Sequence, residues 1–387
     1  MNSPKPKLFR IATVPMSLNL LLKGQLGYLN NYFDVTAISG EGEDLQTVAN
    51  RERVKVHAIE MHRHISLFQD LKSFWQLFQY FKKEKPAIIH SITPKAGLLS
   101  MMAGKLAGVP VRMHTFTGLI FPHKYGYMKR TLIIMDKILC RCATHVYPEG
   151  RGVKEDLQKH NITNKPLKVI ANGNVNGVDV DYYHPEAISE EAKNQLRDCL
   201  QIKEDDFVFV FVGRLVIDKG LRELVKAFDA LSKNHKKVKL ILMGPKENAH
   251  NPKKRRMFHT IYNNENIITV GFQEEVRPYY AISNVLILPS YREGFPNAVL
   301  QAGAMGLPGI VSDISGCNEI IDHEVNGLLV PKKNYKELQK TMEKILVTPN
   351  FLESLQKNAR NRVAESFDKN LVWQELKKEY ENALNEL

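Results

Sequence analysis

The chain has 387 residues, 43% of them apolar and 25% charged, with 54 Lys and Arg against 42 Asp and Glu, a formal charge of +12. At roughly 150 residues per domain this length implies two or three domains, and the balance excludes a disordered chain, collagen or a whole-chain coiled coil. No run approaches the ~18 unbroken apolar residues of a spanning helix. The four cysteines, Cys140, Cys142, Cys199 and Cys317, form no CxxC pair and predict free thiols in a reducing cytoplasm.

Taken in chain order, β-branched runs predict strands at 8–14, 34–38, 54–59, 87–92, 111–115, 144–147 and 167–171, each followed by a helix-length segment. One such segment, 64–83, carries Leu67, Phe68, Leu71, Phe74, Trp75, Phe78 and Phe81 at helical spacing and ends in Lys82-Lys83. Another, 125–145, sets Lys129, Arg130, Lys137 and Arg141 around Met128, Leu132, Ile133, Ile138 and Leu139. Basic amphipathic helices lie in a membrane interface or pack their apolar stripe on a sheet, and both readings stand at this point. Residues 1–185 hold 25 basic and 14 acidic side chains, against 29 and 28 in residues 186–387. The excess in the first half points to a polyanion or an anionic membrane.

The loop ANGNVNGVDVDYYHP and a polar helix at 189–200 mark the break between domains, predicted as 1–185 and 186–368. Strands follow at 207–212, 239–243, 267–270, 285–288, 309–311 and 327–330. Runs such as FVFVFVG and VLILPS suit parallel strands buried on both faces. Thirteen strands alternating with helices predict an α/β protein with two doubly wound sheets. The tail, 369–387, is amphipathic through Leu371, Val372, Leu376, Tyr380 and Leu384 and has no following strand, so it is expected to dock on the N-terminal domain.

Doubly wound sheets bind ligands at the carboxyl ends of their strands. In FVGRLVIDKGLRELV, Gly213 permits a sharp exit, and Arg214 and Lys219 lie on a loop leading into a helix, a setting for phosphate. In ILPSYREGFPNAVLQAGAMGLP, Glu293 stands just before a helix with Pro296 in its first turn and Gly306 at its stop. The N–H groups of Gly294, Phe295 and Asn297 open that helix, and Gln301 follows in it. Asp179-Val180-Asp181 is a DxD, a diphosphate-metal pattern, but it falls in the interdomain loop, and His57, His62 and His64 lack zinc spacing. The run Lys253-Lys254-Arg255-Arg256 has no interleaved aromatics and no nucleic-acid motif beside it.

GRLVIDKG, EGFPNAVLQAGAMGLP and SDISGCNEIIDHEVNGLLV together resemble family 4 of the nucleotide-sugar glycosyltransferases, over essentially the whole chain. SLNLLLKGQLGYLN, HSITPKAGLLSMMAGKLAGVPVRMHTFTG and ANGNVNGVD are similar to bacterial members that build capsule or O-antigen repeats. The resemblance implies the GT-B fold and retaining transfer from a nucleotide sugar, UDP-linked, to a lipid-linked or glycan acceptor without a metal requirement. It implies that Arg214 and Lys219 hold the donor diphosphate and that Glu293 binds the sugar. Gly213, Gly294, Phe295, Pro296, Asn297 and Gln301 would line the donor, with Phe272 against the base. Gln301 stands where relatives have a ribose-binding Glu. Ser17, His114, Thr117 and Gly118 would face the acceptor, and Thr117-Gly118 replaces a His-Gly pair of relatives. The resemblance further implies peripheral attachment to the inner face of the membrane through the basic N-terminal domain, and no nucleic-acid partner.

Competing readings are weaker. A sugar-nucleotide epimerase needs acid and base groups around the donor that these loops do not supply. A phosphorylase is longer and carries a cofactor lysine. In a non-catalytic binding module, intact Arg214, Lys219 and Glu293 would be surplus. A dehydrogenase would need a GxGxxG after the first strand.

Overall fold

A computed structural model describes residues 4–62, 66–246 and 252–387, with the side chains of His123, Pro252, Lys253 and Lys254 left undescribed. The chain divides into two compact units, residues 1–177 with 369–387, and residues 178–368. The first therefore ends eight residues earlier than the loop composition predicts. Val178 is buried in the second core and its N–H donates to Phe367 O at 2.8 Å, so the chain already belongs to unit 2 from Val178 on.

Unit 1 is a parallel sheet of β1 (Lys7–Ile11), β2 (Asp34–Ser39), β3 (Lys55–Ala58), β4 (Ile88–Ser91), β5 (Val111–Phe116) and β6 (His145–Pro148) in the order β3-β2-β1-β4-β5-β6. Among its helices are α1 (Pro15–Leu21), α2 (Leu67–Glu84), α3 (Pro94–Ala107) and α4 (Gly126–Cys142). The predicted strand at 167–171 is absent. Leu167 makes a single bridge to Val146, because Pro166 precedes it and Ala171 takes a left-handed φ of 50°. The first strand stops at Ile11, short of the predicted 14, since Pro15 opens α1.

The helix α3 is flanked by α2 and α4. The Lys95–Asp70 pair, 2.6 Å apart and largely buried, ties α3 to α2. The inner face of α2 buries Leu77 and Phe81, while Leu67, Phe68, Leu71 and Trp75 on its outer face are exposed. The C-terminal helix, Lys369–Asn385, packs on the helix Gln25–Asn30 of the same unit. Its Tyr380 reaches Arg10 and His90 on the sheet, with the Tyr380 hydroxyl 2.7 Å from His90 Nδ1.

Unit 2 repeats the topology with β7 (Phe207–Val212), β8 (Val238–Met243), β9 (Ile267–Gly271), β10 (Val285–Leu288), β11 (Gly309–Ser312) and β12 (Gly327–Val330), ordered β12-β11-β10-β7-β8-β9. Every residue of β10 and β11 is buried, as continuous apolar strands require when helices cover both faces. The helices used below are α5 (Leu221–Asn234), α6 (Pro252–Asn263), α7 (Asn297–Ala304) and α8 (Tyr335–Val347). Ser189 caps the polar helix Glu190–Cys199, its hydroxyl accepting from Ala192 N–H at 3.3 Å.

Candidate functional site

In each sheet the strand order reverses between two central strands, β1 and β4 in unit 1 and β7 and β10 in unit 2. The loops leaving such a pair diverge to opposite faces and open a crevice. In unit 2 the β7 loop carries Lys219 and the β10 loop carries Glu293. The structure brings them together: Lys219 Nζ donates to both carboxylate oxygens of Glu293, at 2.6 and 2.7 Å. Ser290 Oγ donates to Glu293 Oε1 at 2.6 Å. The carboxylate is 9% exposed and the ammonium 24%, so both face a partly desolvated pocket.

Two glycines set this geometry. Gly220 has φ 70° and caps α5, and a Cβ there would lie 1.9 Å from Pro289 O, so any other residue would push the Lys219 loop away from β10. Gly316 has φ 81°, and its Cβ would meet Gly294 O at 2.0 Å, so the 313–316 loop closes directly over the backbone after Glu293. Cys317, next in line, is fully buried, and burial followed by the nearby Glu293 charge raises its thiol pKa.

Other predicted donor residues take more specific places. Pro296 is the N-cap of α7 rather than a residue of its first turn. Phe295 is 7% exposed and packs on Phe367 at 5.4 Å between ring centroids, so it can offer a ligand its backbone but not its ring. Asn297 is the first residue of α7 and Gln301 lies one turn on, half-buried. Gly213 follows β7, and Arg214 beside it is exposed. Phe272 follows β9 and is 65% exposed.

In unit 1 the crevice between β1 and β4 holds Thr13 and Thr93, whose hydroxyls are 2.7 Å apart at the starts of α1 and α3. Ser17 is half-buried in α1, and Thr117 Oγ1 donates to Ile92 O at 2.9 Å beside Gly118. His114 does not belong with them. It lies in the middle of β5, 0% exposed, with Nδ1 2.8 Å from Ser91 Oγ and Nε2 without a hydrogen-bond partner among the described residues. Burial lowers its pKa to about 3, so it is a neutral core histidine. The DxD has a local duty, since Asp179 Oδ1 accepts from Tyr182 N–H at 3.0 Å and shapes a turn.

Sequence reading missed Ser290 and Tyr291, which support the donor loop, and Thr13 with Thr93. Tyr291 N–H donates to Asp218 O at 2.8 Å and its hydroxyl to Glu223 at 2.6 Å, linking the β7 and β10 loops. The available signal was position alone, at the ends of strands flanking the reversal.

Residues 28–173 match the glycosyl transferase 4-like domain, and residues 192–362 match the glycosyl transferases group 1 family. Over 382 residues the chain is 30% identical to the capsular polysaccharide biosynthesis glycosyltransferase CapM of Staphylococcus aureus, covering 98% of each chain. This chain belongs to the group 1 glycosyltransferases. The glycosyltransferase is also 28% identical over 343 residues to the UDP-Gal:alpha-D-GlcNAc-diphosphoundecaprenol alpha-1,3-galactosyltransferase of Escherichia coli, covering 88% of this chain and 86% of that one. Its fold is the GT-B fold of Anabaena HepE, solved in complex with UDP and glucose, with a TM-score of 0.84 at 17% identity over 97% of this chain and 100% of that one. Among the described residues, no helix of the glycosyltransferase is long and apolar enough to cross a membrane.

Proposed function

We propose that this glycosyltransferase moves a sugar, with retention of anomeric configuration, from a UDP-linked donor to a lipid-linked acceptor in the assembly of a surface polysaccharide. The observation that carries the reading is the Lys219–Glu293 pair at the strand reversal of unit 2. In the transfer, the bond from the anomeric carbon to the diphosphate oxygen breaks and a bond to an acceptor hydroxyl forms. The acceptor proton passes to the departing diphosphate. Lys219 and Arg214 stabilise the charge that develops there, and Glu293 accepts hydrogen bonds from the sugar hydroxyls. The N–H groups opening α7 supply further donors. Two cations meet the diphosphate directly, which is why no metal requirement is part of the proposal. UDP is favoured by the UDP-Gal donor of the Escherichia coli relative, and a lipid-linked acceptor by that relative and by the N,N'-diacetylbacillosaminyl-diphospho-undecaprenol alpha-1,3-N-acetylgalactosaminyltransferase of Campylobacter jejuni.

Membrane attachment is assigned to unit 1. It holds 28 Lys and Arg against 16 Asp and Glu, while unit 2 holds 26 of each, so the whole +12 lies in unit 1. The exposed apolar residues Leu67, Phe68, Leu71 and Trp75 of α2, and Tyr127, Met128 and Ile134 of α4, supply the interfacial contact that such charge would orient.

A thermal-shift series with UDP, other nucleoside diphosphates and free diphosphate tests the donor assignment, because a ligand that binds only the folded state raises Tm with concentration. UDP is expected to stabilise the protein, and to lose that effect in Lys219→Ala. Indifference to every nucleoside diphosphate would defeat the reading.

A further inference from the structure

Arg256, the last residue of the basic run, is not used by the donor site, and the structure gives it a setting. A cleft of about 810 Å³ opens in unit 2 between α5, α6 and the start of α8. Four cations line it: Arg222 and Lys226 from α5, Arg256 from α6 and Lys333 from the turn before α8. Its two carboxylates are already matched. Glu223 accepts from the Tyr291 hydroxyl at 2.6 Å and from Arg222 Nε at 3.3 Å. Asp229 pairs with Lys233 at 3.0 Å and accepts from Asn264 at 3.1 Å.

The cations are not matched in the same way. Among the described residues, no carboxylate pairs with Lys226, Arg256 or Lys333. Lys226 Nζ instead lies 3.7 Å from the centroid of the Tyr335 ring, and Lys333 Nζ lies 4.9 Å from that of Tyr291. Lys333 is also held at φ 62°, a left-handed conformation costly for a side chain with a Cβ. Two helices and the turn before a third thus converge four cations, three of them without a carboxylate partner among the described residues, on a concave site large enough for a small ligand. Solvated surface lysines would be expected to point apart.

We propose that this cleft is a second anion site, distinct from the donor crevice, that binds a phosphate-bearing ligand. Guanidinium groups from two elements suit forked contacts to phosphate oxygens, and Lys226 and Lys333 add point charges. Glu223 in the cleft's lining accepts from the hydroxyl of Tyr291, which braces the donor loop two residues before Glu293.

The test is an inorganic pyrophosphate titration of the full chain by calorimetry, with and without saturating UDP, comparing the wild type with Lys226→Glu/Arg256→Glu. Pyrophosphate is expected to bind in the presence of UDP, and the double variant to lose roughly tenfold or more of that affinity, as loss of charge-assisted contacts implies. The UDP response of the variant should stay at the wild-type value. A protein that ignores UDP altogether would defeat the donor assignment and leave this comparison intact. Vesicles containing phosphatidylglycerol form a second arm: a response there alone, abolished by the double variant, assigns the phosphate to a lipid headgroup. Pyrophosphate binding equal in both proteins, or salt-sensitive capture of an oligonucleotide with no response to either phosphate source, would overturn the proposal.

Discussion

Lys219 and Glu293 are 74 residues apart in sequence and share two hydrogen bonds, so each is held by the other before any donor arrives. In the proposed mechanism, such preorganisation means that the charge meeting a leaving diphosphate would need little rearrangement. Lys219→Ala is expected to lower turnover by about 100-fold to 1,000-fold, the usual loss for one preorganised contact to developing charge, while circular dichroism stays native. Wild-type turnover in that variant would remove Lys219 from the mechanism. The positions of both residues in the fold were legible because a strand's carboxyl end, a glycine exit and a helix start can be read from local sequence. Ser290 was not, since a serine in a loop has no period and its value comes only from standing 2.6 Å from Glu293 Oε1. His114 misled for a related reason: sequence shows that a residue can titrate, not that β5 places it inside the core.

At the scale of elements, eleven of the observed strands correspond closely to expected ones, and β1 falls three residues short of its expected end. Repeated β-branched runs between helix-length segments leave little choice of architecture. The expected strand at 167–171 failed because one apolar run cannot report whether a neighbour offers a ladder. The helix α2 marks a different limit. Its apolar residues span more than half of its circumference, and a helical period cannot tell which part of that broad face meets the sheet. The structure assigns Leu77 and Phe81 to the interior and leaves Phe68 at 90% and Trp75 at 54% exposure. If that outer face meets lipid, Phe68→Ser/Trp75→Ser should weaken co-sedimentation with anionic vesicles by roughly tenfold or more, as the loss of two buried apolar side chains implies. The UDP-dependent rise in Tm should persist, because both residues lie in unit 1. Binding unchanged by the double substitution, or equal on neutral vesicles, would remove α2 from the membrane contact.

The whole molecule holds its excess charge in unit 1, together with the buried His90, His114 and Asp136, so the acid response of that unit should be set by those groups. Two opposed linkages operate. Burial lowers the His114 pKa from 6.5 to about 3, so below pH 6.5 the unfolded chain takes up a proton that the folded chain refuses. His114 therefore favours folding fully above pH 6.5 and costs about 2 kcal/mol by pH 5. His90, buried and beside the Arg10 charge, has a pKa shifted the same way. Asp136 on α4 acts in the other direction. Burial raises its pKa from 3.8 to about 7, so the folded chain holds a proton that the unfolded chain releases, and its contribution grows as pH falls from 7 towards 3.8. Its carboxyl is half-buried, so water moderates the size of that effect but not its sign. Both tryptophans, Trp75 and Trp373, belong to unit 1, so their fluorescence in a urea titration follows the unfolding of that unit in the intact chain. His114→Asn keeps a polar atom near Ser91 and should be destabilising at pH 7, with the deficit shrinking by about 2 kcal/mol at pH 5 as the wild type loses its advantage. Asp136→Asn should stabilise unit 1 at pH 8, with a benefit that shrinks at pH 5 and is lost only near pH 3.8. A His114→Asn deficit that is the same at both pH values would show that the histidine is protonated in the folded chain, and the account of β5 as its dry interior would fail.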